Sequence, residues 1–197
     1  MRREQAALTA ALDLLTMPSR VRLVRSSPLP AGVALLLELA ARDEAAGRAA
    51  VEITERPVQI SQEAATFFIE QILLSPEADS YRILGANNLA PAEELRRNMA
   101  MLLRWLHPDL VQSGDRSIFA RRVTAAWEDL KTPERRLAYD LARQKLIEAK
   151  STSRSRRSGR NPSRSEPDGQ RSPLRGGERR PGLWQWVLHR LLHGRPG

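Results

Sequence analysis

One proline most constrains this chain: Pro108, in the order His107-Pro108-Asp109, stands between two amphipathic helix patterns. Upstream, Leu95, Met99, Leu102 and Leu106 recur at helical spacing and form one apolar stripe, with Arg96, Arg97 and Arg104 away from its centre. Pro91 suits a first helical turn, where no backbone N–H is needed, and Glu93 and Glu94 complement the positive end of the helix dipole. A residue preceding proline is pushed out of helical geometry, so the helix ends before Pro108 and His107 sits at its end. Downstream, a polar loop centred on Ser113-Gly114-Asp115 leads to a second stripe at Phe119, Val123, Ala126, Trp127 and Leu130. Two such helices joined by a short exposed loop predict an antiparallel hairpin with the tripeptide at its tip.

The three tip residues differ in chemistry. The Asp109 carboxylate suits a bidentate pair with an arginine of a partner, proline limits the entropy lost on docking, and the His107 imidazole donates hydrogen bonds. Without the flanking helices, a local turn hydrogen bond from Asp109 would explain the tripeptide equally well. Beyond the second stripe, Lys131-Thr132-Pro133-Glu134 marks a break and a restart, with Thr132 as candidate cap and Pro133 at the first helical position.

From about Asp79 to Ala149 the chain resembles a J-domain, the module of DnaJ-type co-chaperones. Ser80-Tyr81-Arg82-Ile83-Leu84-Gly85 resembles the family's opening helix, Ala126-Trp127-Glu128-Asp129-Leu130 is similar to its Ala-Tyr-Glu-x-Leu, and Pro133-Glu134-Arg135-Arg136-Leu137-Ala138-Tyr139-Asp140 to its last shared segment. The resemblance implies a partner of the DnaK type, the heat-shock seventy class. The module docks on it and, through His107, Pro108 and Asp109, accelerates its ATP hydrolysis, so the chain itself is expected to be no enzyme and to hold no cofactor. Arg96, Arg97, Arg104, Arg135 and Arg136 are the implied docking cations. J-domains often carry further basic residues where this chain has Ala100, Met101 and Trp105, which implies weaker or differently oriented docking. The competing readings are a solvated helix face for the α-helical arginines and local pairing of Arg135 and Arg136 with Glu128 and Asp140.

Composition fits a mainly α protein with a disordered basic tail, and the resemblance implies that its helices include a J-domain antiparallel hairpin with flanking helices. The 41% apolar content is enough for small cores. With no cysteine there is no disulfide, no thiol nucleophile and no cysteine-ligated zinc ribbon. That matches a minimal, class C type of J-protein, in which other segments supply specificity.

Residues 1–78 read as a helical region of unknown role, with helices at Arg3 to Met17, Ala31 to Ala46, and from a Ser61 cap through Phe67, Phe68 and Leu73. Val21 to Val24 and Val51 to Thr54 alternate and are candidate paired strands. Phe67-Phe68 and Leu35 to Leu39 are expected to fill a core rather than line a client groove. An adaptor role, bringing residues 79–149 to a client, follows from family habit. The N-terminus shows no export signal and Ala31 to Ala41 is too short to span a bilayer, so the expected location is cytoplasmic.

Residues 150–182 carry Arg, Ser, Pro and Gly with no aromatic and read as a disordered linker. After residue 150 stand eleven arginines and three acids, +8 of the net +9, which leaves the rest of the chain nearly neutral. Such a run binds phosphates or anionic lipid, or merely solvates; the lack of interleaved aromatics argues against specific nucleic-acid recognition. In 183–194, Trp184, Val187, Leu188 and Leu191 make one helical face, widened by Trp186, that suits a membrane interface, and with it a peripheral position at the inner membrane face, or a partner groove. The competing reading is that it folds back onto the protein's own surface. His189 and His193 have metal-compatible spacing but no third ligand nearby. Two function classes stand: a co-chaperone stimulating a DnaK-type ATPase, and a degenerate J-like scaffold or membrane tether without that activity.

Overall fold

Nine α-helices, a 3-10 turn and a π-turn make up the described part of the chain, residues 2–107 and 117–158 of a computed structural model. Among them are no strands. Helix α1 (Arg2–Thr16) lays Ala7, Leu8, Ala11 and Leu14 into the core at three- and four-residue spacing. A 3-10 turn (Pro18–Arg20) leads into α2 (Val21–Ser26), and α3 (Val33–Ala40) follows Gly32, whose φ of 91° is accessible to glycine. Asp43 caps α4 (Glu44–Thr54) by accepting from the Ala46 N–H at 3.0 Å. Helix α5 (Val58–Phe68) starts after Pro57 and runs into a π-turn, Ile69–Leu73.

The second half opens with α6 (Ser80–Ile83), capped by Asp79 through the Arg82 N–H at 2.8 Å. Then come α7 (Ala92–Trp105), α8 (Ser117–Leu130) and α9 (Pro133–Ser158). Helices α7 and α8 pack against each other, and α6 packs on α8. The Thr132 hydroxyl accepts from the Arg135 N–H at 3.3 Å, so the cap and the Pro133 start are as the sequence reads.

Four expectations need correcting. Val21 to Val24 lies in α2 and Val51 to Thr54 in α4; β-branched propensity is weak, and burying Val21 and Ala50 in an all-helical core overrides it. The single helix at Ala31 to Ala46 is broken, because Arg42 turns left-handed at φ 58° and Asp43 starts a new helix. Ser61 is no cap; it sits inside α5, fully buried, its hydroxyl without a hydrogen-bond partner. The linker expected from residue 150 is helical up to Ser158, since no proline or glycine interrupts the chain before Gly159.

One core runs through both halves. Leu36, Leu37, Phe68, Ile69, Ile72 and Leu73 join Leu84, Leu95, Leu102, Trp105, Val123 and Leu130 in one cluster, and Met1–Arg154 packs as one compact unit. No packing boundary falls at residue 78. Phe68 and Leu36, Leu37 and Leu39 fill this core, with Phe67 and Leu35 half-buried at its edge. Each such side chain contributes about 1.5–3 kcal/mol on full burial.

Candidate docking site

Helix α7 sorts its residues into two faces. At 100° per residue, Leu95, Asn98, Leu102 and Trp105 share an inward arc, and all four are buried. Arg96, Arg97, Ala100, Leu103 and Arg104 share the outward face and are exposed, as is His107 just beyond the helix end. The His107 backbone N–H donates to the Arg104 carbonyl at 3.1 Å and that of Leu106 to Leu102 at 3.0 Å, so the last turn is closed by its own backbone. Pro108 and Asp109 lie outside the described residues.

The stripe differs from the sequence reading at two places. Asn98 rather than Met99 is in the core, where its amide donates to the Leu84 carbonyl at 2.9 Å; Met99 and Leu106 are half-buried. Trp105, at a position where the resembled family often carries a basic residue, is 2% exposed. The cause is geometric: α7 packs not only on α8 but also on α3, so its buried arc is wider than one partner helix requires. A tryptophan beside an arginine near a helix end is the signal that pattern counting passed over.

The two arginines of α9 behave differently from those of α7. Arg135 is exposed and pairs with Glu128, its Nη1 donating to the carboxylate at 2.8 Å and to the Glu128 carbonyl at 3.0 Å. Lys131 reaches the same carboxylate at 2.8 Å, and its hydrogen bond is the chief cause holding Glu128 below the usual carboxylate range. Arg136 is half-buried and donates to the Tyr81 hydroxyl at 2.9 Å, the Ala90 carbonyl at 2.8 Å and the Asn88 carbonyl at 2.6 Å. It therefore closes the loop before α7, about 20 Å of helix away from His107. The structure brings Arg96, Arg97, Arg104 and His107 onto one face and leaves Arg136 apart from them.

Around Tyr81 a polar cluster ties α6 to α9. The Tyr81 hydroxyl donates to Asp140 at 3.0 Å, and its ring meets Tyr139 edge-on at 5.8 Å between centroids. The Tyr139 hydroxyl accepts from the Ser80 N–H at 2.8 Å, the Ser80 hydroxyl donates to Asp129 at 2.6 Å, and Arg143 pairs with Asp79 at 2.7 Å. Burial, and then the bond to Asp140, push the Tyr81 phenol above its ordinary value.

Two further arginines, not singled out by sequence reasoning, cross the line between residues 1–78 and the rest. Arg82 donates to the Val24 carbonyl at 3.0 Å and the Ser27 carbonyl at 2.6 Å; Arg122 donates to the Leu74 carbonyl and, at 2.7 Å, to that of Ser75. Burial lowers both guanidinium pKa values, with Asp79 opposing at Arg82. The Val24 and Ser75 carbonyls also accept a backbone N–H, from Ser27 at 3.2 Å and from Ala78 at 2.9 Å, so there the arginines supply a second donor. Trp184, Trp186, Val187, Leu188 and Leu191 lie outside the described residues. Among the described residues, no helix is long and apolar enough to cross a membrane, and no group of three acids or histidines is placed to hold a metal.

Against this geometry, the similarities to known proteins are short. The chain is 37% identical over 62 residues to a curved DNA-binding protein of Coxiella burnetii, covering 32% of this chain and 20% of that one. It is 31% identical over 67 residues to the chaperone protein DnaJ of Latilactobacillus sakei (34% and 18% of the two chains), and 30% identical over 67 residues to that of Roseiflexus (34% and 18%). The chain thus spans about a fifth of the length of these relatives. No family model and no solved structure matches. The similarities support a J-domain-like relationship, and the structure has the mainly α fold that such a relationship implies.

Proposed function

We propose that this chain is a J-domain co-chaperone: it docks on a DnaK-type ATPase through the outward face of α7 and raises that partner's ATP hydrolysis through His107, Pro108 and Asp109, aiding folding or delivery of a client. The observation that carries this reading is the single exposed face on which Arg96, Arg97 and Arg104 lead to His107. Three cations on one helix face steer a module onto an acidic surface and chiefly raise association rate, while the residues at the helix end act after docking. The similarity to two DnaJ chaperones supports the same assignment. ATP chemistry belongs to the partner's nucleotide site.

The test is single-turnover ATP hydrolysis by a DnaK-type chaperone, comparing the wild type with His107→Gln. Wild type raises the rate and the variant, equally helical by circular dichroism, does not. A wild-type chain without effect leaves the competing reading, an interaction scaffold or membrane tether built on a J-like fold.

A further inference from the structure

Three contacts join residues 1–78 to the segment that carries His107. The side chains of Val33 and Leu37 on α3 lie against Gly85, where an added Cβ would fall 2.8 Å from Val33 Cγ1 and 3.6 Å from Leu37 Cδ1. Arg82 holds the carbonyls of Val24 and Ser27, and Arg122 those of Leu74 and Ser75. The residue before Gly85, Leu84, is fully buried and accepts from Asn98 on α7 at 2.9 Å. Asn98 and Trp105 lie two turns apart on the same inward arc, and His107 follows Trp105 by two residues. A continuous packed route therefore runs from α3 through the Leu84–Gly85 turn and α7 to the end that bears His107. At Trp105, where the resembled family often has a cation, a charged side chain could not be buried without loss of hydration.

We propose that Trp105 is a positioning residue for His107 and that residues 1–78, packed on α7 through α3, form a built-in brace for that site rather than a detachable adaptor. Its effect on activity rests on the co-chaperone reading; its geometric part does not. The docking arginines face outward, so loosening the brace misdirects His107 while leaving initial docking intact.

The experiment uses the full chain with Trp105→Lys, Trp105→Phe and Leu37→Ala. The first readout is the His107 imidazole resonance, which is assignable because the chain has 3 histidines and His107→Gln removes one. The second is ATPase stimulation of a DnaK-type chaperone as a function of co-chaperone concentration. For Trp105→Lys and Leu37→Ala the resonance shifts and maximal stimulation falls roughly three- to tenfold. The half-saturating concentration changes by less than about twofold, and Trp105→Phe recovers most of the maximum. An unmoved resonance with full stimulation in the folded variants overturns the proposal, as does a raised half-saturating concentration at unchanged maximum, which would make Trp105 part of the docking surface. Native-state hydrogen exchange on the wild type decides the matter if the variants fail to fold: α3 and α7 amides open together under the brace, and α7 protection outlasting that of α3 refutes it. Absence of stimulation by the wild type defeats the co-chaperone reading alone, since the exchange and resonance data still judge the brace.

Discussion

The Tyr81 hydroxyl donates a hydrogen bond to Asp140 and accepts one from Arg136, an arrangement that needs the neutral phenol inside the α6–α9 contact. Its pKa lies above the ordinary 10.0 because burial and Asp140 both disfavour the phenolate. A raised folded value means that this stabilisation is fully present below the unfolded pKa and is lost as pH rises through the folded one. Tyrosinate absorbance should accordingly show a late-titrating component that coincides with loosening of the fold and vanishes in Tyr81→Phe. Arg122 makes a second residue-scale case. Its two donors reach the Leu74 and Ser75 carbonyls, and because Ser75 also accepts from the Ala78 N–H at 2.9 Å, Arg122→Ala should cost about 1 kcal/mol in urea unfolding, chiefly through the Leu74 carbonyl. Arg122→Lys should restore only part, because a single ammonium cannot reproduce a two-pronged guanidinium fork.

Among the elements, the α6–α7 turn is the most tightly specified. Gly85 holds φ at 65° and an added β-carbon would fall 2.8 Å from Val33 Cγ1, so Gly85→Ala combines left-handed strain with a steric clash. Urea unfolding should register a loss of about 1–3 kcal/mol, and Val33→Ala in that background should recover the steric share but not the conformational one. Helices α7 and α8 were legible because their apolar residues repeat with a helical period, and α1 because its segment is rich in Ala and Leu. The second-half breaks, and with them the start of α9, were legible for another reason, since Pro91, Thr132 and Pro133 punctuate locally. Short elements were not. The six residues of α2 hold too few turns to show a period, and Val21, Val24 and Val51 bias a local reading toward strand. Nor does a pattern count reveal that α7 has two neighbours, which is why Asn98 and Trp105 were left out of the stripe, while Arg96, Arg97 and Arg104 were set away from its centre and His107 at the helix end.

At the scale of the molecule, the core passes through the residue-78 line without interruption. Unfolding of Met1–Arg154 is then expected to be one cooperative transition, with circular dichroism and tryptophan fluorescence giving coincident midpoints. Two separated transitions would show that the halves melt independently. Charge is distributed the other way: it lies almost wholly after residue 150, and the part that holds the α7 stripe is close to neutral. Attraction of the module to an acidic surface thus depends on the local array of Arg96, Arg97 and Arg104 rather than on net charge. Their combined removal should slow association with a DnaK-type chaperone, and added salt should slow the wild type similarly. The contacts of Gly85, Arg82 and Arg122 also bear on inheritance. Exchange of residues 79–149 between related genes would sever three matched pairings at once, so homologues that keep this N-terminal half should retain glycine, arginine and arginine at these positions.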